Sequence, residues 1–129
     1  MINISGVGID IVAIDRFSKV IKKNKRFKSR IFSKSEIQFC ESKNKKISCF
    51  AKRFAAKEAF SKALGTGISK GLNFNEIIVE NDLKGKPSIN LKGKTKKIVN
   101  KIFIRKKLRI FLSLSDEKKY AVAFVTISI

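Results

Sequence analysis

The chain has 129 residues, the size of one ordinary domain, and its 43% hydrophobic and 31% charged residues exclude both a disordered tail and a membrane protein. It carries 30 Lys and Arg against 10 Asp and Glu, a formal net charge of +20, so its surface attracts polyanions such as nucleic acid, phosphorylated small molecules or an acidic protein. Histidine is absent, which excludes a histidine triad, a histidine metal site and histidine acid–base chemistry.

Hydrophobic periodicity predicts a succession of short elements along the whole chain. In chain order they are a strand within residues 2–14, helices over 16–23, 33–42 and 47–64, strands over 76–80 and 88–91, a helix over 94–107, and a closing hairpin over 109–115 and 119–129. This order predicts a single α+β domain over residues 1–129, with a mainly antiparallel sheet packed on a long central helix.

Capping signals support several of these helices. Asp15 is expected to cap the first helix, and Ser33 with Glu36 forms a capping-box pattern at the start of the second. The segment 65–67, Gly-Thr-Gly, follows the long helix, so we favour a C-cap and turn over a phosphate-binding loop, which precedes a helix.

Two of the scarce acids are predicted to lie in apolar surroundings. Asp10 is inside the apolar first strand, and Glu58 follows Phe54 by four residues on the helical face that carries the apolar stripe. A carboxylate in such surroundings is costly unless it is paired, protonated or bound to a metal. Because histidine is absent, two such carboxylates suit a hard cation such as Mg²⁺; the alternative is that each acid pairs with a lysine or arginine.

Basic residues accompany Glu58 along the same helix. They are Arg53, Lys57 and Lys62, with Ser61 between them, and Lys62 lies one turn beyond Glu58. One interpretation is an ordinary Glu–Lys pair four residues apart. The other is a phosphate site next to a metal site, because lysine and arginine neutralise the phosphate oxygens that the metal bridges.

The remaining features are a basic run and two cysteines. Residues 16–30 carry many cations with interleaved apolar residues, which is typical of a solvated face but is also suited to docking an acidic partner helix or nucleic acid. Cys40 and Cys49 alone cannot build a disulfide framework or a zinc site, and without an export signal we expect both thiols to be reduced.

Five segments in order resemble the holo-[acyl-carrier-protein] synthases, the small group of the 4′-phosphopantetheinyl transferases. They are GVGIDIVAIDR at 6–16, RIFSKSE at 30–36, RFAAKEAFSKALGTGI at 53–68, Gly-Lys-Pro at 85–87 and SLSDEKKYAVAFV at 113–125. The third segment is the most specific, and the resemblance covers nearly the whole chain. It implies a Mg²⁺-dependent enzyme that moves the 4′-phosphopantetheine arm of coenzyme A onto a serine of apo-acyl-carrier protein for fatty acid synthesis.

The resemblance also implies roles for individual residues. Asp10 and Glu58 match the Mg²⁺ positions. From the chemistry of these residues we expect Glu58, directly or through a metal-bound water, to accept the serine proton, and Lys62 to stabilise or protonate the departing phosphate. The positions that would line coenzyme A are Arg53, Lys57, Ser61, Lys62 and Gly65. The basic positions that would dock the acidic carrier protein are Arg16, Arg26 and Arg30. A cytoplasmic homotrimer with its sites between subunits, and without nucleic acid or membrane as partner, is implied as well.

One departure and two alternatives accompany this resemblance. Asp116 stands where many family members have a histidine, and an acid there would repel a phosphate. The charge of +20 also fits a small basic nucleic-acid-binding protein, although the chain has no Trp and one Tyr and its phenylalanines follow core spacing. The second alternative is a non-catalytic protein that only holds coenzyme A or a carrier protein.

Overall fold

The computed structural model describes residues 3–65, 71–104 and 106–129, and within these ranges strands flank a group of helices. The elements are β1 (Ile4–Ala13), α1 (Ile14–Lys23), α2 (Phe27–Ile31), α3 (Lys34–Glu41), α4 (Lys46–Leu64), a short 3₁₀ helix (Phe74–Glu76), β2 (Ile77–Asn81), β3 (Pro87–Leu91), α5 (Gly93–Ile102), β4 (Arg109–Asp116) and β5 (Tyr120–Ser128). Among the described residues, no helix is both long and apolar enough to cross a membrane.

Both sheets are antiparallel, and the larger one carries the first candidate acid. Its strand order is β1-β5-β4, while β2 and β3 form a separate hairpin. In the larger sheet Asp10 lies opposite Ala123, and its neighbour Ile9 lies opposite Phe124. Helix α4 packs across β1 and β5, which brings Asp10 to the face that this helix covers. The predicted α+β domain with antiparallel pairing on a long central helix is therefore confirmed.

Close packing of β1 on α4 depends on two glycines. A Cβ atom at Gly6 would fall on the carbonyl oxygen of Ala63, and one at Gly8 would fall on that of Ala59. Only residues without a side chain allow the two backbones to approach this closely. Small α4 residues complete the contact, because Ala55 and Ala59 are fully buried. The strand and the helix that carry the two candidate acids are thus held backbone against backbone.

Several predicted boundaries and caps match the structure. The capping box is present, since Ser33 Oγ accepts from the Glu36 amide and the Glu36 carboxylate accepts from the Ser33 amide. Helix α4 ends at Leu64, and Gly65 is its left-handed C-cap with φ of 76°. Thr66 and Gly67, the rest of the predicted turn, lie outside the described residues.

Other predictions were wrong in detail. Helix α1 begins at Ile14 after Ala13, so Asp15 lies in the first turn and does not cap it. Helix α5 ends at Ile102 rather than at 107, because the Phe103 and Lys106 amides close turns that redirect the chain into β4. Residues 27–31, interpreted only as a basic stretch, form the short helix α2.

The two cysteines are joined, against the expectation of reduced thiols. Cys40 at the end of α3 and Cys49 in the first turn of α4 form a disulfide, with a Cα–Cα distance of 5.5 Å. The pair is buried between the two helices. The intervening charged loop turns the chain back on itself, and this reversal brings the two cysteines together. Their spacing in the sequence does not reveal this reversal.

Candidate active site

Asp10 and Glu58 line one cavity. It has a volume of about 380 Å³ and lies between β1, α1 and α4, with Arg16, Phe17 and Phe54 among its walls. Burial raises the pKa of the Glu58 carboxyl, the negative charge of Asp10 raises it further, and Lys62 acts in the opposite direction. The two carboxyl groups are therefore near enough to repel each other.

Lys62 is the cation of this cluster. Its Nζ donates to the carbonyl oxygen of Ile9 at 3.0 Å and to Oδ1 of Asp10 at 3.1 Å. The Lys62 side chain is 55% exposed, while that of Asp10 is 16% exposed, so the ammonium group stands at the solvent side of the pair. Asp10 is therefore paired with a lysine, which is the alternative to metal binding considered from the sequence. Glu58 has no hydrogen-bond or ion-pair partner through its carboxylate among the described residues.

The donor set of this cleft fits a metal that takes only part of its ligands from protein. No group of three or more potential metal-binding side chains occurs among the described residues, so the cleft does not suit a metal ligated fully by protein. Mg²⁺ is usually held by one or two carboxylates and completes its shell with waters and substrate phosphates. Asp10 and Glu58 supply that number of carboxylates in one cleft.

Arg53 belongs to a different cavity. This second cavity has a volume of about 530 Å³, shares no lining residue with the first, and is lined by Lys45, Lys52, Asn81 and Asp116 among others. Arg53 is buried: its Nη2 donates to Asn81 Oδ1 at 2.7 Å and its guanidinium lies 4.3 Å from the centre of the Phe39 ring. Burial lowers the Arg53 pKa and Glu36 opposes this, and Nε has no hydrogen-bond partner within the described ranges.

Asp116 is neutralised by its neighbours in the second cavity. Ser48 Oγ donates to its Oδ2 at 2.7 Å, and Lys52 Nζ lies 3.4 Å from its Oδ1. The Ser48 hydrogen bond, followed by the charge of Lys52, holds the Asp116 pKa below its usual value. The acid is thus an ionised acceptor, already engaged by a hydroxyl and an ammonium group, so its repulsion of a nearby anion is reduced.

The predicted contacts of Lys57 and Ser61 with coenzyme A do not agree with their positions. Lys57 has no exposed surface and its Nζ donates to the Glu36 carboxylate and to the carbonyl oxygens of Phe74 and Ile77. Burial lowers its pKa to about 8, opposed by Glu36. The Ser61 side chain is also buried, and its Oγ has no partner among the described residues. Both side chains face the interior because the helix exposes Glu58 and Lys62 instead.

The predicted carrier-docking arginines are all exposed. Arg16 lines the Asp10–Glu58 cavity directly. Arg30 lines a neighbouring cavity of about 820 Å³ that also contains Glu58 and Phe74. Arg26 lies at the N-terminal end of α2 and lines neither cavity. Two of the three predicted arginines therefore line cavities that Glu58 also lines.

An aromatic wall beside Glu58 was not predicted. The ring centroid of Phe54 lies 5.4 Å from that of Phe17, 6.0 Å from that of Phe27 and 6.1 Å from that of Phe74. Phe54 precedes Glu58 by one turn of α4, so its place beside the acid was visible in the sequence. The other three rings come from separate elements, which local spacing does not connect.

Comparison with known proteins agrees with these observations. The sequence model of the 4′-phosphopantetheinyl transferase superfamily matches residues 6–125. A holo-[acyl-carrier-protein] synthase of Pelagibacter ubique is 52% identical over 122 residues, covering 95% of this chain and 94% of the relative.

Solved structures agree as well. The crystal structure of holo-[acyl-carrier-protein] synthase from Neisseria meningitidis superposes with a TM-score of 0.87 and 37% identity, covering 97% of this chain and 98% of the other. The synthase from Bacillus anthracis, solved in complex with CoA (3′,5′-ADP), gives a TM-score of 0.78 and 35% identity, covering 97% and 96% of the two chains.

The fold and the acid pair thus define an enzyme of the phosphopantetheinyl transferase class. The chain belongs to the 4′-phosphopantetheinyl transferase superfamily. Within it, the relatives and structures named above are all holo-[acyl-carrier-protein] synthases, as the sequence motifs implied.

Proposed function

We propose that this enzyme transfers the 4′-phosphopantetheine group of coenzyme A to a serine of apo-acyl-carrier protein. The observation that carries the proposal is the meeting of Asp10 and Glu58 in one cleft with Lys62 beside them. The names of the relatives support the reaction, and the Bacillus anthracis complex supports coenzyme A as the substrate. The product besides holo-carrier protein is adenosine 3′,5′-bisphosphate.

The residues of the cleft fit this chemistry. The serine oxygen bonds to the β-phosphorus of coenzyme A, and the bond from that phosphorus to the bridging oxygen breaks. Glu58 accepts the serine proton, directly or through a water molecule. Lys62 neutralises charge on the departing phosphate. When bound by Asp10 and Glu58, Mg²⁺ supplies charge neutralisation for the pyrophosphate.

The contacts with coenzyme A are divided between two regions in this proposal. We assign Lys62 and Gly65 to the phosphate side, because Lys62 binds Asp10 and Gly65 ends the same helix three residues later. Arg53 would contribute through its own cavity, whose lysines attract the phosphates of a nucleotide. Because the two cavities of one chain share no lining residue, we propose that one coenzyme A spans the acids of one subunit and the Arg53 cavity of another.

An exposed apolar sheet face supports the homotrimer implied by the family. The side of the larger sheet that faces away from α4 carries exposed apolar side chains, namely Val7, Ile9, Ile11, Phe111 and Phe124. Of these, Ile9 is 58% exposed and Ile11 62%. A contiguous apolar face of this kind marks a protein–protein interface. We propose that it is the contact between subunits.

The carrier protein is proposed to dock at the basic elements beside Glu58. Arg16 and Arg30 stand next to Glu58, and Arg26 continues the positive surface along the chain. An acidic carrier would be steered there by charge complementarity. A role in fatty acid synthesis and a cytoplasmic location complete the proposal and are supported by the family resemblance.

One assay separates this function from its alternatives. The protein is incubated with apo-acyl-carrier protein, coenzyme A and Mg²⁺, and the carrier is examined by mass spectrometry for the added phosphopantetheine. We expect full conversion, inhibited by EDTA and abolished by Glu58→Gln, with Asp15→Asn as a control for the loss of one negative charge. A nucleic-acid-binding protein or a scaffold that only holds coenzyme A would leave the carrier unmodified.

A further inference from the structure

A salt bridge between Glu36 and Lys57 is enclosed in the interior. The Lys57 Nζ and Glu36 Oε1 atoms are 2.8 Å apart, and neither side chain is exposed. Glu36 Oε1 also accepts from the Ser33 amide at 2.9 Å, and Oε2 accepts from the Val79 amide at 3.0 Å. The carboxylate thus joins the first turn of α3, helix α4 and strand β2 at a single point.

Lys57 extends this network to the segment before β2. Its ammonium group donates to the carbonyl oxygen of Phe74 at 2.8 Å and to that of Ile77. With Glu36 as the third acceptor, all three N–H bonds of the ammonium group are used. The short 3₁₀ helix between Phe74 and Ile77 is therefore clamped at both of its ends by one side chain.

The energetics of such a pair suggest that it does more than stabilise the fold. Removing two charges from water costs about as much as their attraction returns, and well-packed apolar side chains often replace a buried ion pair without loss of stability. A pair with every hydrogen bond satisfied does, however, fix the relative position of the elements it joins. The role of the pair therefore lies in the elements whose relative position it fixes.

The clamped segment is a wall of the candidate site. Phe74, Asn75 and Glu76 line the cavity of about 820 Å³ that also contains Arg30 and Glu58. Lys57 and Glu58 are consecutive on α4, so the anchored side chain is next to the one that faces the cleft. The ring of Phe74 also packs on Phe54, which lines both cavities beside Glu58.

We propose that the buried Glu36–Lys57 pair is a positioning element that holds Phe74–Glu76 as a wall of the cavity of about 820 Å³, which Glu58 and Arg30 also line, and so determines how the carrier protein is seated there. This inference rests on the proposed function. Neither residue touches a substrate in this account. Both act through the backbone carbonyl and amide groups that they bind.

The decisive variant removes both charges together. In the double variant Glu36→Leu/Lys57→Met no buried charge is left unpaired, and the replacements are close to the originals in volume. We expect a folded protein whose KM for apo-carrier protein rises at least fivefold, while its KM for coenzyme A stays within twofold. Faster hydrogen exchange at the amides of residues 74–79 should accompany this change.

A matched control is available on the surface. Lys46 and Glu41 form a salt bridge with an N–O distance of 3.4 Å and with both side chains more than a third exposed. The double variant Lys46→Met/Glu41→Leu should leave exchange at residues 74–79 and both KM values as in the wild type. A general effect of removing an ion pair would instead appear in both double variants.

The outcome that overturns the proposal is a folded Glu36→Leu/Lys57→Met variant with wild-type KM for the carrier and wild-type exchange at residues 74–79. Should that variant not fold, Glu36→Gln/Lys57→Met gives the same exchange measurement with no buried charge left unpaired and with an amide oxygen in place of the carboxylate acceptor. The exchange readout needs no transfer activity. A wild-type protein without activity would therefore contradict the proposed function, while exchange would still decide whether the pair clamps the segment.

Discussion

Lys62 of α4 donates a hydrogen bond of 3.1 Å from its Nζ to Oδ1 of Asp10 on β1. The two residues are 52 positions apart in the chain and meet because β1 packs directly on α4. The bond places a half-exposed ammonium group at the edge of the cleft that contains Glu58. A cation in that position can bind the phosphate oxygens of an incoming substrate.

Lys62→Gln should therefore lower the rate of phosphopantetheine transfer by about a hundredfold, the typical loss when one donor to a developing anion is removed. The measurement is single-turnover kinetics at saturating coenzyme A. Lys101→Gln, an exposed lysine of α5, removes the same charge far from the cleft and should keep the wild-type rate. A Lys62→Gln rate within twofold of the wild type would contradict the role given to this residue.

The titration of Glu58 tests the geometry of the cleft without any substrate. Its pKa is expected above the usual glutamate value in the metal-free protein, because burial and the charge of Asp10 both favour the protonated form. Asp10→Asn should lower this pKa by removing the repulsion, whereas Lys62→Met should raise it by removing the attraction. Carboxyl ¹³C NMR reports these shifts, and a Glu58 pKa unchanged in both variants would show that the three groups are not neighbours.

Gly8→Ala tests the contact that brings the acids together. The added Cβ would meet the carbonyl oxygen of Ala59, so β1 must move away from α4. We expect a loss of about 2 kcal/mol in the free energy of unfolding, as is usual for overpacking, together with weaker metal binding. Urea unfolding measures the first quantity and calorimetry with Mn²⁺ the second.

Gly85→Ala is the control for this substitution. Gly85 has a φ of 87° and no atom within 4 Å of an added Cβ, so the change costs about 1 kcal/mol through backbone strain alone and leaves β1 in place. Metal binding should be unaffected in this variant. If Gly8→Ala bound Mn²⁺ as tightly as Gly85→Ala, the β1–α4 contact would not be what positions the acids.

Assembly can be tested on the exposed sheet face. Ile9→Glu places a charge on this face, opposite Phe124, and should convert the proposed trimer to monomers and abolish transfer, because the proposed sites lie between subunits. Sedimentation equilibrium measures the mass. Asn100→Glu introduces the same charge at an exposed position of α5, outside the sheet, and should leave the proposed trimer intact. A wild-type protein that sediments as a monomer would refute the proposed assembly.

The sequence was informative where local patterns determine the structure. Alternation and helical spacing placed Asp10 in a strand and Glu58 and Lys62 on one side of a helix, and the capping box fixed the start of α3. Such features depend on neighbours within a few residues. For the same reason the predicted class of fold, which follows from the order of elements, was confirmed.

Long-range contacts limited the rest of the prediction. Lys57 was grouped with the basic residues that accompany Glu58, but its burial depends on Glu36, which lies 21 positions earlier and has a local capping pattern of its own. Arg53 and Glu58 lie about 140° apart around α4, so helical spacing alone separates them. The bond from Arg53 to Asn81 of β2, 28 positions later, is the part that local spacing does not reveal. No glycine or proline marks the end of α5 in the sequence. The helix ends at Ile102 because the chain must then enter β4, whose pairing with β5 begins at Arg109.

The claim on which the account depends is that Asp10 and Glu58 together hold a divalent cation. Titration with Mn²⁺ in the presence of coenzyme A, followed by electron paramagnetic resonance, tests it directly. The account predicts one bound Mn²⁺ per chain in the wild type and in Asp15→Asn, and at least a tenfold loss of affinity in both Asp10→Asn and Glu58→Gln. Wild-type Mn²⁺ binding in either of these two variants would contradict it.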